Sequence, residues 1–173
     1  YQGVNEKMAS SPRILKGVYR RAMAVGQRYR LDYWNEGKRA PLLLSLQYAF
    51  YNCTIFTLLK RVLGLQRGRY FPTAGAPLSD EINIFLQSVN IPIIVGYGLS
   101  ETTATVSFYP QRGFKIGSMG KVMPGLDARI DPDNNEILVK GKSVMSEYYN
   151  LPEETAGAFT PDGYFRTGDA GRM

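Results

Sequence analysis

Three short segments combine glycines with hydroxyl, carboxylate or aromatic side chains. The first, residues 73–78 (TAGAPL), is a small-residue loop that leaves a predicted strand. The second is residues 96–102 (GYGLSET), and the third is residues 163–171 (GYFRTGDAG). Because glycine lets the backbone approach a flat or bulky ligand closely, each segment is a candidate binding loop.

The second segment offers the most chemistry. Tyr97, between two glycines, supplies an aromatic ring that could pack beside a planar base. The hydroxyls of Ser100 and Thr102 could donate to phosphate oxygens, and a carboxylate such as Glu101 commonly holds Mg²⁺ beside phosphates. In the third segment, Asp169 offers two acceptor oxygens to a diol, as acidic residues do for ribose. Singly, Glu101 could be an exposed charge and Asp169 part of an ordinary turn.

Taken together, the three segments resemble the adenylate-forming superfamily of acyl-CoA synthetases, luciferases and peptide-synthetase adenylation domains. Two further stretches resemble it as well: residues 117–125 (GSMGKVMPG), and residues 135–141 (NEILVKG) leading to Met145 and Tyr148-Tyr149. This resemblance covers residues 70–173. Residues 1–70 resemble the helical region of the long-chain fatty-acyl subgroup, through their helical texture and basic character.

The resemblance implies roles for individual residues. Those expected to contact the nucleotide are Gly75, Ala76, Pro77, Gly96, Tyr97, Gly98, Ser100 and Asp169. The first three would line the adenine pocket, the next three would pack beside the base and the acyl-adenylate, and Asp169 would bind the ribose hydroxyls. Ser100 would contact the α-phosphate and Glu101 would hold Mg²⁺, which makes these two the expected catalytic residues.

The chain departs from the family pattern at three places. Serine stands at position 100, where threonine is usual, and this change keeps the hydroxyl. Asn135 and Glu147 replace glycines. Because both are turn positions, these two changes bear on local backbone more than on chemistry.

The implied activity is that of a long-chain fatty-acid–CoA ligase. A fatty acid and Mg·ATP would give acyl-adenylate and diphosphate, and coenzyme A would then displace AMP. The family's phosphate loop would lie before Tyr1 and its lid lysine after Met173, so we expect a truncated large N-terminal domain that does not turn over alone.

The expected fold is α/β: a βαβ-type parallel sheet layer with flanking helices, plus a small β-rich subdomain of distorted-barrel type. A helical region is predicted over residues 1–70, an α/β nucleotide-binding part over 71–110, and the β-rich part over 111–173. Ser79 is the predicted cap of a helix whose apolar stripe includes Phe85 and Val89. Residues 128–131 and 136–140 are predicted to form a β-hairpin.

Charge is distributed unevenly along the chain. Residues 1–70 contain thirteen lysines and arginines against three acidic residues, whereas residues 71–173 contain eight against twelve. A basic half favours a polyanionic partner such as cofactor phosphates, lipid headgroups or nucleic acid; a solvated helix face is the alternative. A single cysteine, Cys53, excludes an internal disulfide and fits a reducing compartment. We therefore expect a cytoplasmic protein.

Two helices of this basic half raise the question of membrane contact. Ser11-Pro12 is predicted to open a basic amphipathic helix, a type that more often packs on its own domain than on a membrane. A second, strongly apolar helix is predicted from about Pro41 to Leu63, ending at Gly64. Its polar residues and its Lys60-Arg61 end favour a buried or partly membrane-facing helix over a membrane span. Peripheral contact with the inner face of a membrane stays open.

Three other functions remain possible from the sequence. A relative that activates an aryl, short-chain or amino acid would carry the same nucleotide motifs. A nucleic-acid-binding module would use the basic half, but the chain lacks the interleaved aromatic and basic pattern of such modules, and no nucleic acid is expected. A degenerate regulatory homologue would not need Glu101 and Asp169.

Overall fold

The computed structural model describes Gly3 and residues 10–173, which form two compact units. The first unit comprises the described residues up to Thr73, together with Pro77–Ile94 and Pro110–Ser118. The second comprises Ala74–Ala76, Val95–Tyr109 and Met119–Met173. Each unit is therefore assembled from separate stretches of the chain.

Helices dominate the first unit and strands the second. The α-helices of the described residues are α1 (Arg13–Gln27), α2 (Leu42–Tyr51), α3 (Thr57–Val62), α4 (Asp80–Ser88) and α5 (Pro152–Gly157). Two π-helical stretches, Arg28–Trp34 and Asn52–Phe56, respectively extend α1 and join α2 to α3. The strands are β1 (Phe71–Thr73), β2 (Ile93–Tyr97), β3 (Ser107–Phe108), β4 (Lys121–Val122), β5 (Leu126–Ile130), β6 (Glu136–Gly141) and β7 (Phe165–Ala170).

The first unit is organised around one apolar core. Its buried members come from α1, the Asn52–Phe56 stretch and the α4 region: Ala22, Phe56, Phe85, Val89 and Ile91. Helix α1 comes so close to α4 that a β-carbon on Gly26 would lie 2.5 Å from the Ser88 carbonyl oxygen. Ser79 caps α4 as predicted, since its hydroxyl accepts from the Ile82 N–H at 3.3 Å.

Details of the first two helices differ from the expectation. Pro12 itself occupies the N-cap position of α1, so the predicted serine cap with proline in the first turn is wrong. The second helix runs from Leu42 to Val62 and turns π-helical in its middle, where the Thr57 hydroxyl donates to the Asn52 carbonyl at 2.7 Å. Gly64 ends it with φ +71°, as predicted.

Two sheets complete the fold. One has the strand order β1-β2-β3-β4, and the β2·β3 and β3·β4 ladders are antiparallel. Strand β1 lies beside β2 and α4 connects them, which is the predicted strand–helix–strand arrangement. The other is an antiparallel β5-β6-β7 sheet, which contains the predicted hairpin with Ala128 opposite Val139. The mixed α/β fold class is confirmed.

One helix meets the length and composition criteria for a membrane span. It is Leu42–Val62, with 21 residues, and only 17% of its most apolar window is buried. Such a helix is weak evidence for a span by itself, but its low burial separates it from an ordinary core helix.

Candidate nucleotide-binding site

A hydrogen bond joins two of the predicted binding segments inside the second unit. The Tyr97 hydroxyl donates to Asp169 Oδ2 at 2.7 Å, across 72 positions of sequence. Burial, together with the bond to Asp169, raises the pKa of Tyr97 to about 12, while a bond with Thr167 opposes the shift. Tyr97 is therefore a neutral donor at physiological pH, and it fixes the direction of the Asp169 carboxylate.

Strand β7 presents Asp169 through an irregularity. Glu136 pairs with Ala170 and Leu138 with Arg166, so β7 has extra residues between those two pairs. Gly168 adopts φ +72° there, a conformation that favours glycine. Asp169 thus lies exposed on a bulged strand, and bulges commonly re-aim a side chain beside a functional site.

The carboxylate of Glu136 holds this bulge in place. Its Oε1 accepts from the Gly168 N–H at 2.9 Å, and its Oε2 accepts from Arg166 Nη1 at 3.1 Å. The Thr167 hydroxyl adds a bond to the Ile137 carbonyl at 2.8 Å. These contacts make Glu136 a positioning residue for Asp169.

The segment after β2 closes on itself as a tight loop. The Thr102 hydroxyl accepts from the Leu99 N–H and donates to the Leu99 carbonyl, both at 3.0 Å. A β-carbon on Gly98 would lie 2.2 Å from the Ala104 carbonyl oxygen. Gly98 is therefore required by the close return of its own loop. Thr102 is buried, and its hydroxyl serves this loop, so its predicted availability to a phosphate is wrong.

Two non-glycine residues in this loop have left-handed backbone conformations. Thr103 has φ +54° and Ala104 has φ +72°. Each costs roughly 1–2 kcal/mol for an ordinary L-residue. The Thr103 hydroxyl donates to the Ser143 carbonyl at 2.7 Å, which helps to hold the strained turn. Such strain is concentrated at functional sites in proteins, and here it begins two residues after Glu101.

Glu101 is anchored through both its backbone and its side chain. Its carbonyl accepts from the Met145 N–H at 2.7 Å, and its Oε1 accepts from the Tyr148 hydroxyl at 3.0 Å. Burial and the Glu101 contact raise the pKa of Tyr148, which keeps this hydroxyl a donor. Met145 and Tyr148 therefore brace Glu101, the predicted metal ligand.

The donor set fits Mg²⁺ in one specific way. The described residues contain no cluster of three or more acidic, histidine or cysteine side chains that could hold a metal. Mg²⁺ is commonly bound by one or two carboxylates together with substrate phosphates and water. A single braced carboxylate at Glu101 matches that mode rather than an all-protein cage.

The other predicted residues are placed less closely. Ser100 is exposed at the start of a 3₁₀ turn, Ser100–Thr102. Gly75 and Ala76 are exposed and belong to the second unit, whereas Pro77 belongs to the first. Gly96 lies on β2, opposite Phe108. Within the second unit, side-chain hydrogen bonds thus pair Tyr97 with Asp169 and Glu101 with Tyr148.

Tyr148 and Glu136 received no role from sequence reasoning. Both lie in the stretch that resembles a family motif, which was the available signal. Asn135 shows why a glycine could be replaced in that motif: its φ is +60°, a conformation that asparagine tolerates better than most residues.

Comparison with known proteins identifies the family to which this mixed α/β chain belongs. Residues 7–149 match the family of AMP-binding enzymes. The chain belongs to that family.

Among curated relatives, the chain is similar to the long-chain-fatty-acid–CoA ligase FadD15 of Mycobacterium bovis. The two are 34% identical over 96% of this chain, which corresponds to 30% of that protein. The chain thus spans about a third of the relative's length.

Solved structures support the same family. The malonyl-CoA ligase ternary product complex with methylmalonyl-CoA and AMP matches 73% of this chain and 28% of that one, with 30% identity and a TM-score of 0.55. The o-succinylbenzoate coenzyme A synthetase of Bacillus subtilis, solved with ATP and magnesium ion, matches 58% of this chain and 23% of that one. Its identity is 26% and its TM-score 0.53.

Proposed function

We propose that this chain forms the nucleotide-binding part of an ATP-dependent long-chain fatty-acid–CoA ligase. The observation that carries the proposal is the hydrogen bond from Tyr97 to Asp169. It joins the end of β2 to β7 within the second unit. Together with the family membership, it supports a site for the base and ribose of ATP.

In the proposed reaction, a fatty carboxylate attacks the α-phosphorus of ATP. The P–O bond to the leaving diphosphate breaks, and acyl-adenylate forms. The coenzyme A thiolate then attacks the acyl carbon, and AMP leaves with the electron pair of the C–O bond. The first step brings two anions together, so it depends on charge neutralisation and preorganised donors.

The residues of this chain divide that work. The exposed hydroxyl of Ser100 would donate to an α-phosphate oxygen, and the Asp169 carboxylate would accept from the ribose hydroxyls. Glu101, braced by Tyr148, would hold Mg²⁺, which when bound neutralises charge on the phosphate oxygens. Tyr97 would flank the base while its hydroxyl orients Asp169.

The long-chain assignment is supported by the 34% identity to a long-chain ligase over nearly the whole chain. Activation of a short dicarboxylic acid is the second candidate, favoured by the 30% identity to a malonyl-CoA ligase structure. The test is diphosphate release from ATP by the full-length protein that we propose carries this chain, with acids from malonate to palmitate. Activity confined to malonate or methylmalonate would contradict the long-chain assignment.

We further propose that the 173 residues alone bind adenine nucleotides weakly and do not catalyse. The relatives that carry out the reaction are about three times as long. Diphosphate release by the purified chain, with ATP, Mg²⁺ and palmitate, tests this. Fatty-acid-dependent turnover by the chain alone would contradict it.

A further inference from the structure

An apolar stripe runs along the solvent side of the helix from Leu42 to Val62. Large apolar side chains occupy five of the six positions that follow one another at intervals of four residues. Each is 60% to 76% exposed: Leu42, Leu46, Phe50, Leu58 and Val62. The missing position is Thr54, which is also exposed. We define these five residues as the outer stripe.

The helix geometry explains why the outer stripe stays on one side. A spacing of four residues drifts by about 40° per step around an α-helix of 3.6 residues per turn. The π-helical stretch Asn52–Phe56 lies in the middle of the helix and has a wider turn, which offsets part of that drift. Leu58 and Val62 therefore remain exposed together with Leu42 and Leu46.

The opposite side of the same helix is committed to the core of the first unit. Phe56 is fully buried and Leu44 nearly so, and Tyr48, Ile55 and Leu59 are partly buried against the core cluster. A transmembrane position would require the helix to abandon these contacts. The outer stripe can contact an apolar phase only if the helix lies flat along its surface.

The charged residues that flank this helix in sequence are basic, and Lys38 is paired with Glu36 at 3.9 Å. Between Glu36 and Asp80 the sequence contains six lysines and arginines and no acidic residue. None lies between residues 40 and 59; they flank the helix, as Lys38 and Arg39 before it and Lys60, Arg61, Arg67 and Arg69 at its end and beyond. All but Lys60 are exposed, and Lys60 is half-buried.

We propose that the outer stripe docks the protein flat onto an anionic lipid surface. Exposed leucine and phenylalanine would enter the acyl boundary, as the apolar face of an interfacial helix does. The cationic flanks would lie at headgroup level, where each lysine or arginine is attracted to anionic lipid. The occupant is a bilayer because the patch is apolar along its whole length yet closed at both ends by cations, a distribution that matches acyl chains beside anionic headgroups. This inference does not depend on the proposed ligase activity.

The test is flotation with vesicles, in the absence of ATP, of the full-length protein that we propose carries this chain. Vesicles of phosphatidylcholine alone are compared with vesicles containing about a third phosphatidylglycerol. We expect the protein to float with the anionic vesicles at low salt, and less at high salt because the headgroup attraction is screened. The double variant L46E/F50E should reduce the floating fraction about tenfold or more, since two apolar anchors are lost.

Matched controls separate docking from misfolding. Tyr149→Glu changes a ring that is 86% exposed and lies outside the outer stripe, so it should float like the unchanged protein. K60Q/R61Q should weaken flotation only with anionic vesicles. Circular dichroism and thermal unfolding establish that each variant is folded.

Three results would overturn the proposal. The first is equal flotation of L46E/F50E and Y149E. The second is a stable dimer in light scattering that L46E/F50E abolishes while neither protein binds vesicles, because the outer stripe would then contact a second copy. The third is binding to duplex DNA that anionic vesicles do not compete.

Discussion

Tyr97, at the end of β2, donates a hydrogen bond to Asp169 on β7, and the ionisation of its hydroxyl can be measured directly. Its pKa is raised to about 12 from an ordinary value of 10.0, chiefly by burial. A raised pKa means that the folded state favours the protonated hydroxyl. The resulting stability is fully present below pH 10.0 and is lost as the pH rises through about 12.

We therefore expect the effect of Tyr97→Phe on stability to depend on pH only in alkali. Ultraviolet titration of tyrosinate should lose one group near pH 12 in the variant. In urea unfolding, the stability difference between the two proteins should be constant from pH 7 to 9 and should shrink above pH 10. Loss of a group titrating near pH 10 instead would show that Tyr97 is not held by burial and by Asp169.

Tyr148 is expected to act through Glu101. Removing its hydroxyl with Tyr148→Phe deletes one hydrogen bond to the carboxylate, an interaction worth about 0.5–1.5 kcal/mol. In the full-length protein that we propose carries this chain, the Mg²⁺ concentration for half-maximal diphosphate release should rise roughly two- to tenfold.

The adjacent Tyr149 provides the control for that measurement. It is 86% exposed, and Tyr149→Phe should leave the Mg²⁺ dependence unchanged. An unchanged Mg²⁺ requirement in Tyr148→Phe, with only the overall rate reduced, would mean that Tyr148 does not position the metal carboxylate.

At the scale of elements, α1 contains two glycines with opposite surroundings. A β-carbon on Gly26 would lie 2.5 Å from a backbone oxygen of Ser88, whereas one on Gly17 would meet nothing within 4 Å. Gly26→Ala should therefore destabilise the chain by roughly 1–3 kcal/mol through overpacking. Gly17→Ala should stabilise it by up to about 1 kcal/mol through helix propensity.

Urea unfolding of the two variants measures this contrast. The same chemical change on the same helix gives opposite signs only if α1 packs against α4 as described. Stabilisation by both substitutions would contradict that packing.

A helix end or a hairpin could be predicted from the sequence where residues close together along the chain determine it. The cap at Ser79, the stop at Gly64 and the β5–β6 hairpin follow from short-range chemistry, and the structure confirms them. The exposed first half of α1 was not predictable. Ile14, Leu15 and Val18 fit the helical stripe but stay exposed, because the core is contacted by Tyr19, Ala22 and Met23 instead.

The candidate site likewise has features that the local sequence predicts and features that it does not. Its residue types could be read from three segments, but the contacts of Tyr97 with Asp169 and of Glu101 with Tyr148 join positions 72 and 47 residues apart. No pattern along the chain specifies such pairs. The bulge at Gly168 is held by Glu136 of the neighbouring strand β6. The residues next to Gly168 in the sequence therefore did not predict it.

At the scale of the whole molecule, the chain belongs to the family of AMP-binding enzymes, and the proposed nucleotide site lies within its second unit. The outer stripe and the candidate site lie in different units. The basic first unit carries the outer stripe, whereas the second unit carries Tyr97, Glu101 and Asp169. The proposed lipid docking and the proposed catalysis therefore depend on different residues and can fail separately.

The most direct test of the central claim is diphosphate release by the full-length protein that we propose carries this chain. The assay uses ATP, Mg²⁺ and fatty acids of increasing length, with Glu101→Ala alongside. We predict activity that increases with chain length and falls in the variant by about a hundredfold or more, because charge stabilisation at the phosphates is lost. Measurable ATP binding without activity on any fatty acid, or full activity in Glu101→Ala, would contradict the account.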